Sequence, residues 1–427
     1  MAKNTDSNWD KLDNTALLFP VISSENRTNV YRIAAVMTED VDRTILQEAL
    51  NMILPQFPVF RMRMRAGLFW YYFEENKKAA PQVRVENSFP GAYINKSRNN
   101  QYLFRVTCYQ NRINLEVFHA LTDGFGGTVF LKELVYQYIR LRYPEAMEGE
   151  SNRLSSDVFL DSEDSYLRNY KKPGKERKKY SQSKGVQIKG KELPTDELGI
   201  IHGYVKVDEL KAAAKRYQVT INTFLVSVYI YAIYREYLRG HSSDEPISCV
   251  VPVNLRPYYD SHTMKNFFAM LNAAFQPENR EYSLEDVVRI VDADLKSKIT
   301  KENLDDIVSY NVSNETNLIN RWVPLIIKNF VMKRIYEASV HSNTTTLTNI
   351  GNIVLREKYR DYVQGFHCLL SMSLGMNIKI GVASYNGVMT ITFSSSLEDT
   401  GIQKRFFQIL TAEGLEVGIE TNGVYGE

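Results

Sequence analysis

Residues Arg112 to Gly127 read RINLEVFHALTDGFGG, and the change of period within this stretch decides how the rest of the chain is read. Strand alternation puts Ile113, Leu115, Val117 and His119 on one face, so His119 points inward if the strand persists to it. Further on, Leu131, Leu134, Val135 and Tyr138 fall at helical spacing, a helix that runs to about Arg142 and stops before Pro144. Asp123 and Gly124 sit where strand turns into helix, and Gly126 and Gly127 leave room for a close backbone approach. A strand-end histidine beside a glycine-rich turn is a candidate site. The same residues equally describe a satisfied core histidine followed by an aspartate helix cap.

Outward from this stretch, Tyr102–Tyr109 and Arg112–Phe118 are strand-like runs separated by Gln110 and Asn111, a spacing that predicts a tight antiparallel hairpin. Val30–Met37 is a β-branched and aromatic strand. The helix after it carries Leu46, Ala49, Leu50 and Ile53 on one face and ends at Pro55. Leu68–Glu74 adds another strand. From Glu145 to about Gly199 the pattern breaks: Glu145–Asp164 holds seven acids and one base, and Lys171–Lys179 six bases and one acid. This block reads as a crossover linker, either a solvated loop or a dock for an anionic phosphate tail.

Strand and helix signals resume with a strand at Ile200–Val207, a helix bearing Leu210, Ala213, Ala214 and Tyr217, and a strongly apolar helix over Thr220–Leu238. A buried strand follows at Ile247–Val253. Helices fill most of Ser283–Ala338, and Pro324 must start or kink one of them. The clearest hairpin alternates Ile378, Ile380 and Val382, turns at Asn386-Gly387, and returns through Met389, Ile391 and Phe393. A helix near Ile402–Leu415 closes the chain.

Composition narrows the function classes. The chain has 427 residues, a size that suggests two domains, and its 52 Lys and Arg against 50 Asp and Glu leave a net charge of +2. That balance argues against nucleic acid as a partner, since phosphate neutralisation needs a basic domain or stripe. With 44% hydrophobic residues there is enough apolar side chain for real cores. Cys108, Cys249 and Cys368 are too few and too scattered for a disulfide framework. The N-terminus lacks an apolar signal region, and Ile221–Ile233 is too short for a bilayer span, so a cytoplasmic protein without a membrane span is expected.

The stretch FHALTDG, Phe118 to Gly124, resembles the His-x-x-x-Asp-Gly motif of the chloramphenicol-acetyltransferase-like acyltransferase superfamily. That group includes alcohol acetyltransferases, wax ester synthases, plant BAHD acyltransferases and peptide-synthetase condensation domains. VPVNLRP at Val251–Pro257 resembles a second superfamily feature. The opening WDKLDNTALLFP, Phe69-Trp70 and TNIG at Thr348–Gly351 are most similar to bacterial alcohol acetyltransferase-like proteins. The resemblance covers nearly the whole chain. It implies an α/β (α+β layered) architecture of two lobes, each a mixed β-sheet flanked by helices, with an active-site tunnel between them. Residues 1–150 would form the first lobe, 151–199 the crossover linker, and 200–427 the second lobe carrying NLRP and TNIG.

The resemblance also implies roles. His119 would be the general base for transfer of an acyl group from acyl-CoA to an alcohol, Asp123 a mainly structural partner of Arg256, and Gly124 the motif's closing residue. Thr348 and Asn349 would be donors to the oxyanion, unless they only end a strand. No tightly bound cofactor and no covalent intermediate are required, because acyl-CoA is a co-substrate. A carrier-protein-bound thioester is the alternative donor, an amine the alternative acceptor, and a catalytically silent scaffold of the same fold the rival from another class. The chain departs from condensation domains in having Phe118 where many carry a first histidine, and it lacks the Asp-Phe-Gly-Trp-Gly segment of the plant enzymes. A monomer is expected. Metal hydrolysis lacks a third ligand near His119 and Asp123; His202, His241, His262, His341 and His367 are isolated in sequence.

Overall fold

The computed structural model describes residues 9–150, 154, 161–171, 184–316 and 322–425. Two β-sheets, each with its own apolar core, carry the molecule. The first has five strands in the order Val363–Leu370, Val30–Met37, Arg112–Phe118, Phe104–Tyr109 and Arg84–Val85. Its first four strands pair antiparallel, with Ile33 opposite both Leu115 and Cys368. The expected hairpin is present, and Gln110 supplies the left-handed residue of its turn at φ 49°.

Helices Arg43–Ile53 and Gly124–Arg142 bury Leu46, Leu50, Leu131, Leu134 and Val135 with this sheet in one cluster. The Arg112–Phe118 strand is buried on both faces, and its carboxylate is paired. Glu116 is held by Arg32 and Arg105 and accepts the Gly91 N–H at 2.6 Å. Burial works against that carboxylate, yet the two guanidiniums outweigh it and keep its pKa below the usual range.

The second sheet has seven strands in the order Phe268–Phe275, Ile247–Asn254, Thr345–Asn352, Ile378–Tyr385, Val388–Ser395, Gly199–Lys206 and Val417–Thr421. Thr345–Asn352 runs parallel to both neighbours and the other pairs are antiparallel, so the sheet is mixed. Helix Ile221–Glu236 is apolar nearly all round, as a helix sunk in a core must be. It packs with Leu284–Lys298 and Gly401–Ala412. Asn386 (φ 46°) and Gly387 (φ 79°) make the predicted hairpin turn, and Pro324 caps the start of helix Leu325–Ser339 rather than kinking one. A three-stranded sheet of Trp9–Lys11, Tyr71–Glu75 and Met62–Ala66 completes the described strands.

Two features depart from the simple division at residues 150 and 200. Strand Val363–Leu370 lies in the second half of the chain but forms the edge of the first sheet, against Val30–Met37. The linker is also not merely solvated: in helix Ser165–Arg168, Tyr166 is buried, and its hydroxyl donates to the Phe268 carbonyl at 2.7 Å. Of the basic run, Lys171 pairs with Asp305 at 2.7 Å, and Lys172–Lys179 lies outside the described residues. Among the described residues no helix is long and apolar enough to cross a membrane.

Candidate active site

The site starts from the end of the Arg112–Phe118 strand. His119 is the first residue beyond it, and its N–H donates to the Asn29 carbonyl at 3.0 Å, which continues the ladder by one bond. Its ring is half-buried, stacked on Phe19 at 4.6 Å and edge-on to Tyr31 at 5.1 Å. Nδ1 lies 3.2 Å from Asn266 Oδ1. Burial is the largest influence on the imidazole and lowers its pKa, the Asp123 charge pulls it up, and Lys379 pushes it down.

Asp123 serves two structures at once. As helix cap, its Oδ1 accepts the N–H groups of Phe125 and Gly126 at 3.2 and 3.3 Å. As an ion-pair partner it takes Arg256 in a fork, Nη1 to Oδ2 at 2.9 Å and Nη2 to Oδ1 at 3.1 Å, and Oδ2 also accepts the Phe267 N–H. Arg256 places its remaining donors on Thr263 O, Asn254 Oδ1 and Lys265 O, and its guanidinium covers the Phe125 ring. The cap and the ion pair, alternatives at the level of sequence, are both realised.

Close approach explains the glycines. A Cβ on Gly126 would stand 2.7 Å from the Met264 carbonyl, and one on Gly127 2.6 Å from the Tyr31 hydroxyl. Gly124 faces Ile350, whose Cγ2 would be 3.0 Å from a Cβ there. The TNIG segment therefore reaches the motif through Ile350. Thr348 and Asn349 are half-exposed on strand Thr345–Asn352, where Asn349 Oδ1 accepts the Gly351 N–H at 2.8 Å. Hydrogen bonds thus join Asp123 to Arg256, while Thr348 and Asn349 sit on a neighbouring strand of the second sheet.

Three residues of this neighbourhood went unassigned in the sequence. Asn266 and Asp13 are buried and linked, Asn266 Nδ2 donating to Asp13 Oδ2 at 3.0 Å. Desolvation raises the Asp13 pKa to about 7. Lys379 is buried, donates to Ser371 O and Ser373 Oγ, and is brought down to about 7 by burial. Asp13 stands inside WDKLDNTALLFP, a stretch notable only for its resemblance; Asn266 and Lys379 follow no local spacing.

The three cysteines are buried, and burial pushes the thiols of Cys249 and Cys368 up to about 12 and that of Cys108 upward. A buried thiol of this kind is a poor nucleophile. Beside the histidine opens a cleft of about 1580 Å³, lined by residues of Asn14–Val21, by Trp70 and Tyr71, by residues of Phe268–Ala274 and by helix Leu325–Ser339. Phe268 lines it and its ring centroid is 5.5 Å from that of His119, which places the cleft one aromatic ring away from the imidazole.

The two layered sheets give the chain a two-lobed fold shared with solved structures of an acetyltransferase and of condensation domains. The chain is similar in structure to TRI3 trichothecene 15-O-acetyltransferase from Fusarium sporotrichioides, at 12% identity and TM-score 0.63 over 96% of each chain. It is similar also to polyketide synthase associated protein 5 from Mycobacterium tuberculosis, at 13% identity and TM-score 0.60 over 94% of this chain and 96% of that one. A third likeness is to the starter condensation domain of rhizomide synthetase in complex with C8-CoA, at 12% identity and TM-score 0.60 over 95% and 94% of the two chains. No family model and no curated protein matches the sequence.

Proposed function

We propose that the protein transfers an acyl group from an acyl thioester, acyl-CoA, to the hydroxyl of a small alcohol, with His119 as general base. The observation that carries this reading is the placement of His119: its Nδ1 lies 3.2 Å from Asn266 Oδ1, which leaves Nε2 for a substrate, and burial lowers its pKa in the direction a base requires.

In the reaction Nε2 takes the proton of the acceptor hydroxyl while its oxygen attacks the thioester carbonyl. The tetrahedral intermediate collapses, the C–S bond breaks, and the departing thiolate receives the proton from the imidazolium. Thr348 and Asn349 would stabilise the oxyanion as donors, an arrangement whose loss commonly costs ~10²–10³ in rate. Asp123 and Arg256 keep the turn that carries the base.

The test is thiol release from a panel of acyl-CoA and acyl-pantetheine donors, with alcohols and amines as acceptors. Turnover should fall ~10²–10⁴-fold in His119→Ala, the usual contribution of a positioned base. Absence of turnover with every donor, or turnover indifferent to that substitution, would refute the proposal. A preference for acyl-pantetheine or for amines would move it to carrier-bound condensation chemistry.

A further inference from the structure

Helix Leu325–Ser339 is apolar and yet hardly buried: Leu325 is its one buried residue. Its least exposed stripe is Leu325, Asn329, Met332 and Tyr336, at i, i+4, i+7 and i+11, the side held to the protein. There the Leu325 N–H donates to the Leu68 carbonyl at 2.9 Å and Asn329 Nδ2 to the Tyr71 hydroxyl at 2.8 Å. On the opposite side stand Ile326, Ile327, Phe330, Val331 and Ile335; Ile326 is 83% exposed, Phe330 62% and Ile335 64%. At about 100° per residue these five cover roughly half the circumference, with Lys333 at one edge of the arc, Lys328 at the other and Arg334 within it.

A second element brings its tip to the same place. Strands Met62–Ala66 and Tyr71–Glu75 pair as a hairpin whose connection carries Leu68, 73% exposed. Phe69 from that connection meets the ring of Trp322, itself 76% exposed and just ahead of the helix, at 6.0 Å between centroids. Lys328 Nζ ties the two together, donating to the Phe69 carbonyl at 3.0 Å and lying over the Trp70 ring. The result is one exposed apolar patch built from a hairpin tip and a helix face.

We propose that this patch docks the protein on the surface of an anionic lipid bilayer, the helix lying in the headgroup plane with Leu68 and Trp322 dipping in beside it. Charge selects this occupant. Lys328, Lys333 and Arg334 border or interrupt the apolar arc, and Glu337, 3.9 Å from Arg334, is the one acid on the helix, a balance that suits lipid phosphates. A second copy in a two-fold interface would set the same cations against each other. A protruding hairpin tip and a convex helix offer no groove to a peptide, whereas an exposed tryptophan beside lysines is suited to the headgroup layer. Ile327, Val331 and Ile335 also line the cleft next to His119, so the cleft opens along the docked edge. A bilayer-borne apolar substrate can then enter without crossing water, a consequence that rests on the acyl-transfer reading, as the docking itself does not.

The experiment is flotation of the full chain with vesicles of phosphatidylcholine alone and of phosphatidylcholine mixed with phosphatidylglycerol, with no donor or acceptor present. Its outcome is therefore independent of whether acyl transfer is observed. The protein should float with the mixed vesicles and remain below with phosphatidylcholine alone or in high salt. Lys333→Gln with Arg334→Gln should weaken partitioning about 30-fold, the equivalent of ~1 kcal/mol for each surface cation removed. Ile326→Asp with Phe330→Asp, at exposed positions where folding is untouched, should weaken it at least ~10-fold. Mixed vesicles should shift tryptophan emission to the blue in the wild type and not in Trp322→Phe. No flotation with mixed vesicles, or flotation indifferent to the aspartate pair, overturns the proposal. A dimer in sedimentation that Phe330→Asp dissociates, with vesicles left unbound, overturns it in favour of an interface between copies. A monomer that binds no vesicle overturns it in favour of a soluble acidic partner.

Discussion

Arg256 has five guanidinium N–H bonds, and in this protein each ends on an oxygen, two of them on Asp123. Asp123 likewise accepts from Arg256 and from three backbone N–H groups. Both are buried, so removing one partner strands a desolvated charge rather than a single hydrogen bond. Asp123→Ala should therefore destabilise the fold by ~3–5 kcal/mol, checked as the shift in urea midpoint, and should lower activity largely by lowering the folded fraction. Asp123→Asn, which keeps an acceptor and the helix cap, should fall between. His119, Asp123, Gly124 and Arg256 were legible because a short motif and NLRP each sit within a few residues. Asn266 and Asp13 were not, because their relation is one of space: 253 residues separate them, and neither lies on a periodic face.

Between elements, the two sheets meet at a pair of histidines that look isolated in sequence. His202 is on strand Gly199–Lys206 and His367 on strand Val363–Leu370, with ring centroids 4.0 Å apart. His202 Nδ1 meets Thr392 Oγ1 at 2.9 Å, and His367 Nε2 meets the Tyr204 hydroxyl at 3.2 Å. Burial, with Arg112 and Arg32 nearby, brings His202 down to about 3. Burial, His202 and the same arginines lower His367 too, against the pull of Glu420.

In the unfolded chain both titrate near ~6.5. The unfolded state thus binds more protons below that pH, so the stability from the neutral pair is fully present above about 6.5 and is lost as pH falls toward the folded-state values. Lowering the pH from 7.5 to 5 should cost ~1–2 kcal/mol through His202, with His367 acting in the same direction. The measurement is the urea midpoint against pH, and a His202→Gln, His367→Gln double variant should have the shallower slope. At this scale the helices and the Asn386-Gly387 hairpin could be read from period and turn chemistry. The partner of Val363–Leu370 could not, since VQGFHCLL is buried without a break from Phe366 to Leu369 and presents no alternation there to assign a face.

For the whole molecule, the reading of two lobes was available from length and motif order, but the exchange of a strand between them was not, because nothing in residues 363–370 names a sheet. The exchange makes the halves mutually dependent. The first core includes Met264, Ile353, Tyr359, Val363 and Phe366 from the second half of the chain. A fragment of residues 1–150 should accordingly lack a cooperative unfolding transition when expressed alone. Co-expression with residues 151–427 should restore one, read by near-ultraviolet circular dichroism. A fragment that folds alone with the cooperativity of the whole chain would show the strand to be dispensable.

That same edge strand sets a timetable for biosynthesis. Strand Val30–Met37 leaves the ribosome early, yet its pairing edge stays open until Leu370 is made, roughly 330 residues later, which at ~5–20 residues per second is on the order of 15–70 s. Throughout that interval a β-branched strand with unpaired backbone groups is presented to the cell, a template for association with other nascent chains. The yield of this protein should thus depend on holding chaperones and on elongation rate more than its final stability would suggest.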